Sequence, residues 1–249
     1  MKRYYKVAAA LLIIAGLCSS MSAHAHAQAK VAGSSLLTTA DQAQLASWLG
    51  EGSIVLSNIY SKTQGDTSSN FHRAADGKGR TFSVMQASNE FGKTWLVGGY
   101  NPQSWNSSGQ YNMTAEDKDR TAFLFNLTNG TLHKQTPKTY ALDSVGSYQT
   151  LNLAKFGPTF GTGYDLFVPG NLTTGGYSSI YSYVNTDPNV GVFGVSLIDG
   201  SAYHGGNITY GAIEVFTITA VPEPATYGML LAGLGLFFYF GRRKVGTVA

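Results

Sequence analysis

Three histidines, His72, His133 and His204, lie in the body of this chain and are where metal or acid-base chemistry would be sought first. No two of them have the i, i+4 or short-loop spacing at which ligands converge, so the pattern assigns no metal centre. His72 reads as a residue that caps or packs a helix. His204 stands in the loop Tyr203-His204-Gly205-Gly206-Asn207, where binding residues concentrate. The carboxylates gather once, in Glu116-Asp117-Lys118-Asp119-Arg120, whose interleaved charges suit a solvated, ion-paired loop. Calcium is the sharper reading of that run, but it lacks the glycine and the distal glutamate of a recognised calcium loop. Asp76 and Asp165 fall in glycine-rich turns and are expected to accept backbone hydrogen bonds there. Glu214 interrupts an apolar strand and needs a partner, for which Arg73 and Arg80 are candidates.

Nucleophilic and phosphate chemistry find less support. No Gly-x-Ser-x-Gly elbow occurs, and Gly77-Lys78-Gly79 and Gly161-Thr162-Gly163 lack the context of a phosphate loop. Trp95, Tyr100, Trp105 and Tyr111 crowd one stretch and could stack on a sugar or fill a core. The expectation is therefore a protein without catalytic, cofactor or metal residues, with His72, Trp105 and His204 as ligand candidates.

The elements that must position these residues are mostly strands. Thr39 and Gln42 have capping-box spacing ahead of a helix over residues 40–49, which Gly50 can end. A second short helix is expected over Ser68 to Ala75, capped by Asp66 or Thr67 and terminated by Gly77. Strands are expected over residues 53–60, 81–86, 94–100, 121–127, 166–168, 191–197 and 212–219. With 30 glycines in 249 residues the chain is rich in tight turns. The fold class is α+β, mainly β: a two-sheet antiparallel sandwich with short helices.

Both ends carry addresses. Lys2, Arg3 and Lys6 precede the apolar run Val7 to Leu17, and Ala25, Ala27 and Ala29 each close an Ala-x-Ala triplet, as in a signal peptide over residues 1–29. Cys18 is a rival site for lipid modification, although bulky Leu17 precedes it. At the other end, Val221-Pro222-Glu223-Pro224 leads into the apolar run Tyr227 to Phe240 and then Arg242-Arg243-Lys244. These 14 apolar residues make only about 21 Å of helix, against a bilayer core of about 30 Å. A marginal transmembrane anchor suits a segment held until it is cut, and the cationic end keeps to the cytoplasm. Removing three basic residues at each end leaves 11 against 14 acidic ones, a net charge of −3 for residues 30–224. The basic character belongs to the addresses, and nucleic acid is not an expected partner. Because Cys18 is the only cysteine, the domain beyond it has neither disulfides nor thiol chemistry.

Several segments resemble the TLDc domain. They are Phe71-His72-Arg73-Ala74-Ala75-Asp76-Gly77-Lys78-Gly79-Arg80-Thr81, Val97-Gly98-Gly99-Tyr100 with Trp105, and Asp119 to Leu127. Gly157-Pro158-Thr159-Phe160-Gly161-Thr162-Gly163-Tyr164-Asp165-Leu166 and Ile213-Glu214-Val215-Phe216 follow in the family's order. The resemblance spans about residues 36–219 and implies a two-sheet sandwich. Ala75 stands where the family commonly has a cysteine, so a thiol-based role is not implied. The family's cytosolic partners, including the V-type ATPase, do not fit an exported domain. The tail over residues 221–245 resembles the PEP-CTERM sorting signal of Gram-negative bacteria. This implies processing by signal peptidase and exosortase, transient anchoring in the inner membrane with the domain outside, and passage to the surface or medium. The expected role is a non-catalytic envelope or matrix interaction component; the alternatives are a glycan-binding module and a hydrolase with a site assembled from loops.

Overall fold

The computed structural model describes residues 33–138, 143–185, 194–201 and 205–221. The signal peptide, the anchor with Arg242, Arg243 and Lys244, the motif residues Pro222, Glu223 and Pro224, and His204 lie outside these residues, as does the start of the strand expected at 191–197. Among the described residues no helix is long and apolar enough to cross a membrane.

Helix α1 is Thr39–Leu49, and its cap lies one residue earlier than the spacing predicts. Thr38 is the N-cap, and the Asp41 carboxylate accepts from both its backbone N–H at 2.9 Å and its hydroxyl at 2.6 Å. An ionised carboxylate at a helix N-terminus is a better acceptor than a neutral amide, and Gln42 instead turns inward. Helix α2 is Ser68–Ala75 with Thr67 as N-cap. Asp76 is its C-cap, while Gly77, at φ 72°, donates its N–H to the Trp105 carbonyl.

Twelve strands follow: β1 Ile54–Ser61, β2 Thr81–Ser88, β3 Thr94–Asn101, β4 Tyr111–Met113, β5 Phe123–Asn126, β6 Thr131–Gln135, β7 Tyr148–Leu151, β8 Thr159–Phe160, β9 Leu166–Phe167, β10 Thr174–Ser178, β11 Tyr183–Asn185 and β12 Gly205–Ala220. All pairings are antiparallel, in the order β11-β6-β5-β3-β2-β12-β10-β9-β8-β7-β4, with β1 on β12. Strand β12, 16 residues long, joins β1, β2 and β10 and so spans the middle of the molecule. In place of the strand expected at 191–197, Gly194 and Val195 exchange backbone bonds with Ile180.

The central strands are covered on both faces, and period-2 alternation decides what goes where. On one face Met85, Ala87, Trp95, Val97, Leu124, Ile213 and Val215 pack with α2 and with residues from the 157–198 excursion. On the other, Phe82, Val84, Tyr100, Phe123, Phe125, Phe216 and Ile218 pack with Leu45 of α1. The Gly98-Gly99 pair lets each face close. A Cβ at Gly98 would stand 2.1 Å from the Ser83 carbonyl oxygen, and one at Gly99 would stand 2.5 Å from the Phe160 ring.

Candidate functional site

The residues with chemical potential converge on structural bonds. His72, on α2, is held among acceptors: Nδ1 lies 2.7 Å from Asp76 Oδ1, and Nε2 lies 3.1 and 3.0 Å from the carbonyls of Leu153 and Phe156. Asp76 Oδ2 accepts from the Ser107 hydroxyl at 2.7 Å. His72, Asp76 and Ser107 are residue types of a nucleophilic triad in the wrong order, because the carboxylate rather than the imidazole holds the hydroxyl. Asp76 therefore bonds side chains, not the turn backbone expected for it. The trio ties α2 to the loops at 105–107 and 153–156.

Trp105 is fully enclosed, donating from Nε1 to Thr81 Oγ1 at 3.0 Å and meeting Phe71 and Phe160 edge-on at 5.3 and 5.4 Å. Its ring faces the core and offers no surface to a sugar. Trp95 and Tyr100 are buried as well. His133, on β6, is buried on the Leu124 face; burial pushes its imidazole down to about 4, and its Nδ1 has no protein partner.

Asp165 is completely buried. Its Oδ2 accepts from the backbone N–H groups of Tyr181 and Tyr183 at 2.5 and 2.9 Å, so these donors reach it from across the excursion, while its own backbone N–H also acts on the carboxyl from within the turn. Burial outweighs those bonds and pushes the carboxyl up to about 7. Gly161, at φ 75°, makes room, since a Cβ there would fall 1.8 Å from Asp165 Oδ1. The nearby Tyr183 hydroxyl donates to the Gln149 carbonyl at 2.7 Å.

Glu214 takes neither Arg73 nor Arg80. Its Oε2 accepts from the Ser34 hydroxyl at 2.6 Å, and its Oε1 from the Ser35 N–H and hydroxyl at 2.8 and 2.9 Å. The segment entering α1 crosses the sheet at Glu214, and short neutral donors fit there where a guanidinium would need room. Arg80 instead pairs with Glu51 at 2.6 Å. Lys62 was not singled out by sequence spacing. Its ammonium donates to the carbonyls of Leu172, Tyr210 and Gly211, each at 2.8 Å, pinning a loop to the irregular step in β12. The only sequence signal for it is a lone cation directly after a strand.

The acidic run is the ion-paired loop that its interleaved charges suggest. Glu116 pairs with Lys138 at 2.9 Å and Asp117 with Arg120 at 3.5 Å, while the Arg120 guanidinium reaches the carbonyls of Thr114, Ala115 and Thr136. Among the described residues no group of three or more potential metal ligands converges. One open groove, of about 300 Å³, lies beside the end of α1 and is lined by Trp48, Glu51, Tyr100, Phe123 and Lys134; a smaller one, of about 120 Å³, is lined by Asn89, Phe91, Ile198 and Ile208 among others. The larger groove is the better-furnished of the two. It combines one half-buried indole, an exposed ammonium and a carboxylate already held by Arg80.

At the C-terminal rim, Val221 donates its N–H to the Ser53 carbonyl at 2.9 Å, so the sheet is bonded up to the first residue of the Val-Pro-Glu-Pro run. Residues 31–218 match the TLDc domain, and residues 220–244 match the PEP-CTERM protein-sorting motif. No curated protein matches the chain.

Proposed function

The chain belongs to the TLDc domain family and ends in a PEP-CTERM sorting motif, and from that premise we propose that it is a non-enzymatic interaction component of the bacterial envelope or extracellular matrix. In this reading signal peptidase removes residues 1–29, and the apolar tail holds the domain at the outer side of the inner membrane. Exosortase then cuts near Pro224, and the domain passes to the surface or the medium. The observation that carries it is the join between β12 and the motif: backbone bonding of the folded body continues to Val221, one residue beyond β12 and already inside the sorting motif. The internal use of His72, Asp76, Asp165 and Glu214 supports a structural rather than catalytic role for the family's motif residues. The region at 148–178, where β7, β8 and β9 continue the path, is the second layer of a two-sheet sandwich.

The reading is tested by fusing residues 221–249 to an exported reporter. The reporter should stay with the membrane in a host without exosortase and be shed in one with it; a fully soluble reporter in the first host contradicts the anchor.

The groove supports a second reading, a glycan-binding module, through Trp48 and Lys134 rather than Trp105. Glycan-array binding that is lost on Trp48→Ala, in a chain whose melting temperature falls by no more than a few degrees, would favour it; an array without bound glycans removes it.

A further inference from the structure

A sheet built this way must dispose of its edges, because a strand with one unpaired side carries backbone donors and acceptors that another strand can take. Both ends of the strand path are short: β4 and β11 have three residues each. Strand β1 is different. It has eight residues and pairs among the described residues only with β12. Its sequence, Ile54-Val55-Leu56-Ser57-Asn58-Ile59-Tyr60-Ser61, contains no charge and no proline, so the usual chemical protections of an edge are missing. The one irregularity falls between Asn58 and Tyr60, leaving a regular run from Ile54 to Asn58. Along that run Ile54 and Leu56 point into the core, while Val55, 41 % exposed, and Ser57 face solvent.

We propose that the free edge of β1 pairs antiparallel with β1 of a second copy of this chain, joining two sheets about a two-fold axis. Three observations choose this occupant. The edge is neutral along its whole length, so a two-fold pairing brings no like charges together and buries no unpaired one. The chain's own N-terminal segment is a poor occupant: Ser34 and Ser35 are held at Glu214 just ahead of α1, and with the cut after Ala29 only three residues precede Gly33, an extended reach of about 10 Å against about 26 Å for β1. The tail is also unsuited, because Pro222 and Pro224 have no N–H to give to a ladder. A charged peptide would gain nothing from an edge without a counter-charge. Pairing of this kind would turn a monomeric surface domain into a divalent one without using the groove beside α1.

The test uses the full chain in a Cys18→Ser background, which leaves no other cysteine. Val55→Cys, Ser57→Cys and the two together cover registers centred on Val55, Ser57 and Leu56, and Asn129→Cys, at the exposed β5–β6 tip, is the control. Lysates are oxidised with copper-phenanthroline and run without reductant, so that the result does not depend on where the protein is sorted. The expected result is a band of twice the chain mass from at least one β1 variant, at least about tenfold above the Asn129→Cys control. A further variant, with Asn58→Lys added to the cross-linking chain, should reduce that band at least about fivefold while leaving the melting temperature within a few degrees. Absence of the band from all three β1 variants, or a band that survives Asn58→Lys in a folded chain, overturns the pairing.

Discussion

The two faces of the central sheet are closed by different means. The face toward α1 is an aromatic and aliphatic cluster under a regular three-turn helix, where Leu45 is fully buried and Trp48 packs on Phe125 at 6.1 Å. The face toward α2 is closed by that helix together with residues 157–185 and 194–198, which run as irregular chain between strands of two to five residues, and it holds the buried polar residues Asp165, His133 and Tyr183. A helix satisfies its own backbone and needs only apolar side chains to dock. An irregular cover must have its backbone groups bonded by something else, and Asp165 does this for Tyr181 and Tyr183. The glycine-rich Gly157 to Asp165 stretch is therefore there to build a lid over a core.

Tryptophan truncation should separate the faces most strongly. Trp105→Ala removes a fully buried ring and its bond to Thr81, and should cost about 3–5 kcal/mol. Trp48→Ala removes a half-buried ring from the opposite face and should cost about 1 kcal/mol, both read from urea unfolding. Equal losses would remove the contrast. Next in size is the strap over Glu214. Ser34→Ala with Ser35→Ala strips two hydroxyl donors from a buried carboxylate and should cost about 2–3 kcal/mol. Adding Glu214→Gln should recover part of that loss, giving a non-zero coupling in a double-mutant cycle.

The smallest net effect is the pH profile of the unmutated chain, where two shifts of opposite sign offset each other, and it bears on the contrast between the faces because Asp165 and His133 both lie on the α2 side. The folded state holds the Asp165 proton more tightly than the unfolded chain does. Its contribution is therefore complete below about pH 4 and is lost as pH rises through about 7. His133 acts in the other direction: the unfolded chain takes its proton more readily, so stability falls as pH drops from about 6.5 toward about 4. Each slope is at most about 1.4 kcal/mol per pH unit. In thermal melts between pH 4 and 7, Asp165→Asn should leave stability rising with pH, and His133→Gln should leave it falling. Identical profiles for both variants would contradict the assignment.

What could be read from sequence follows the same division. Helices α1 and α2 and strands β1, β2, β3 and β12 announce themselves by apolar periodicity, because their neighbours in the core are spaced by their own geometry. The strands β7, β8, β10 and β11 do not. Thr159–Phe160 is two residues long, and Thr174-Gly175-Gly176-Tyr177-Ser178 has no alternating pattern, so only their partners make them strands. The need of Glu214 for a partner was legible from its apolar setting, but its donors were not, since Ser34 and Ser35 lie at the far end of the chain. Trp105 shows the converse: its aromatic character was plain, while the side of the surface on which it sits depends on Phe71, Phe160 and Thr81 arriving around it.

The proposed export route has a TLDc domain leave the cell with a C-terminal sorting motif that is then removed. Intact-mass spectrometry of the protein recovered from an exosortase-positive host tests it most directly. The predicted species begins after the signal peptide and ends near Pro224; a species that retains Arg242-Arg243-Lys244 would contradict the claim.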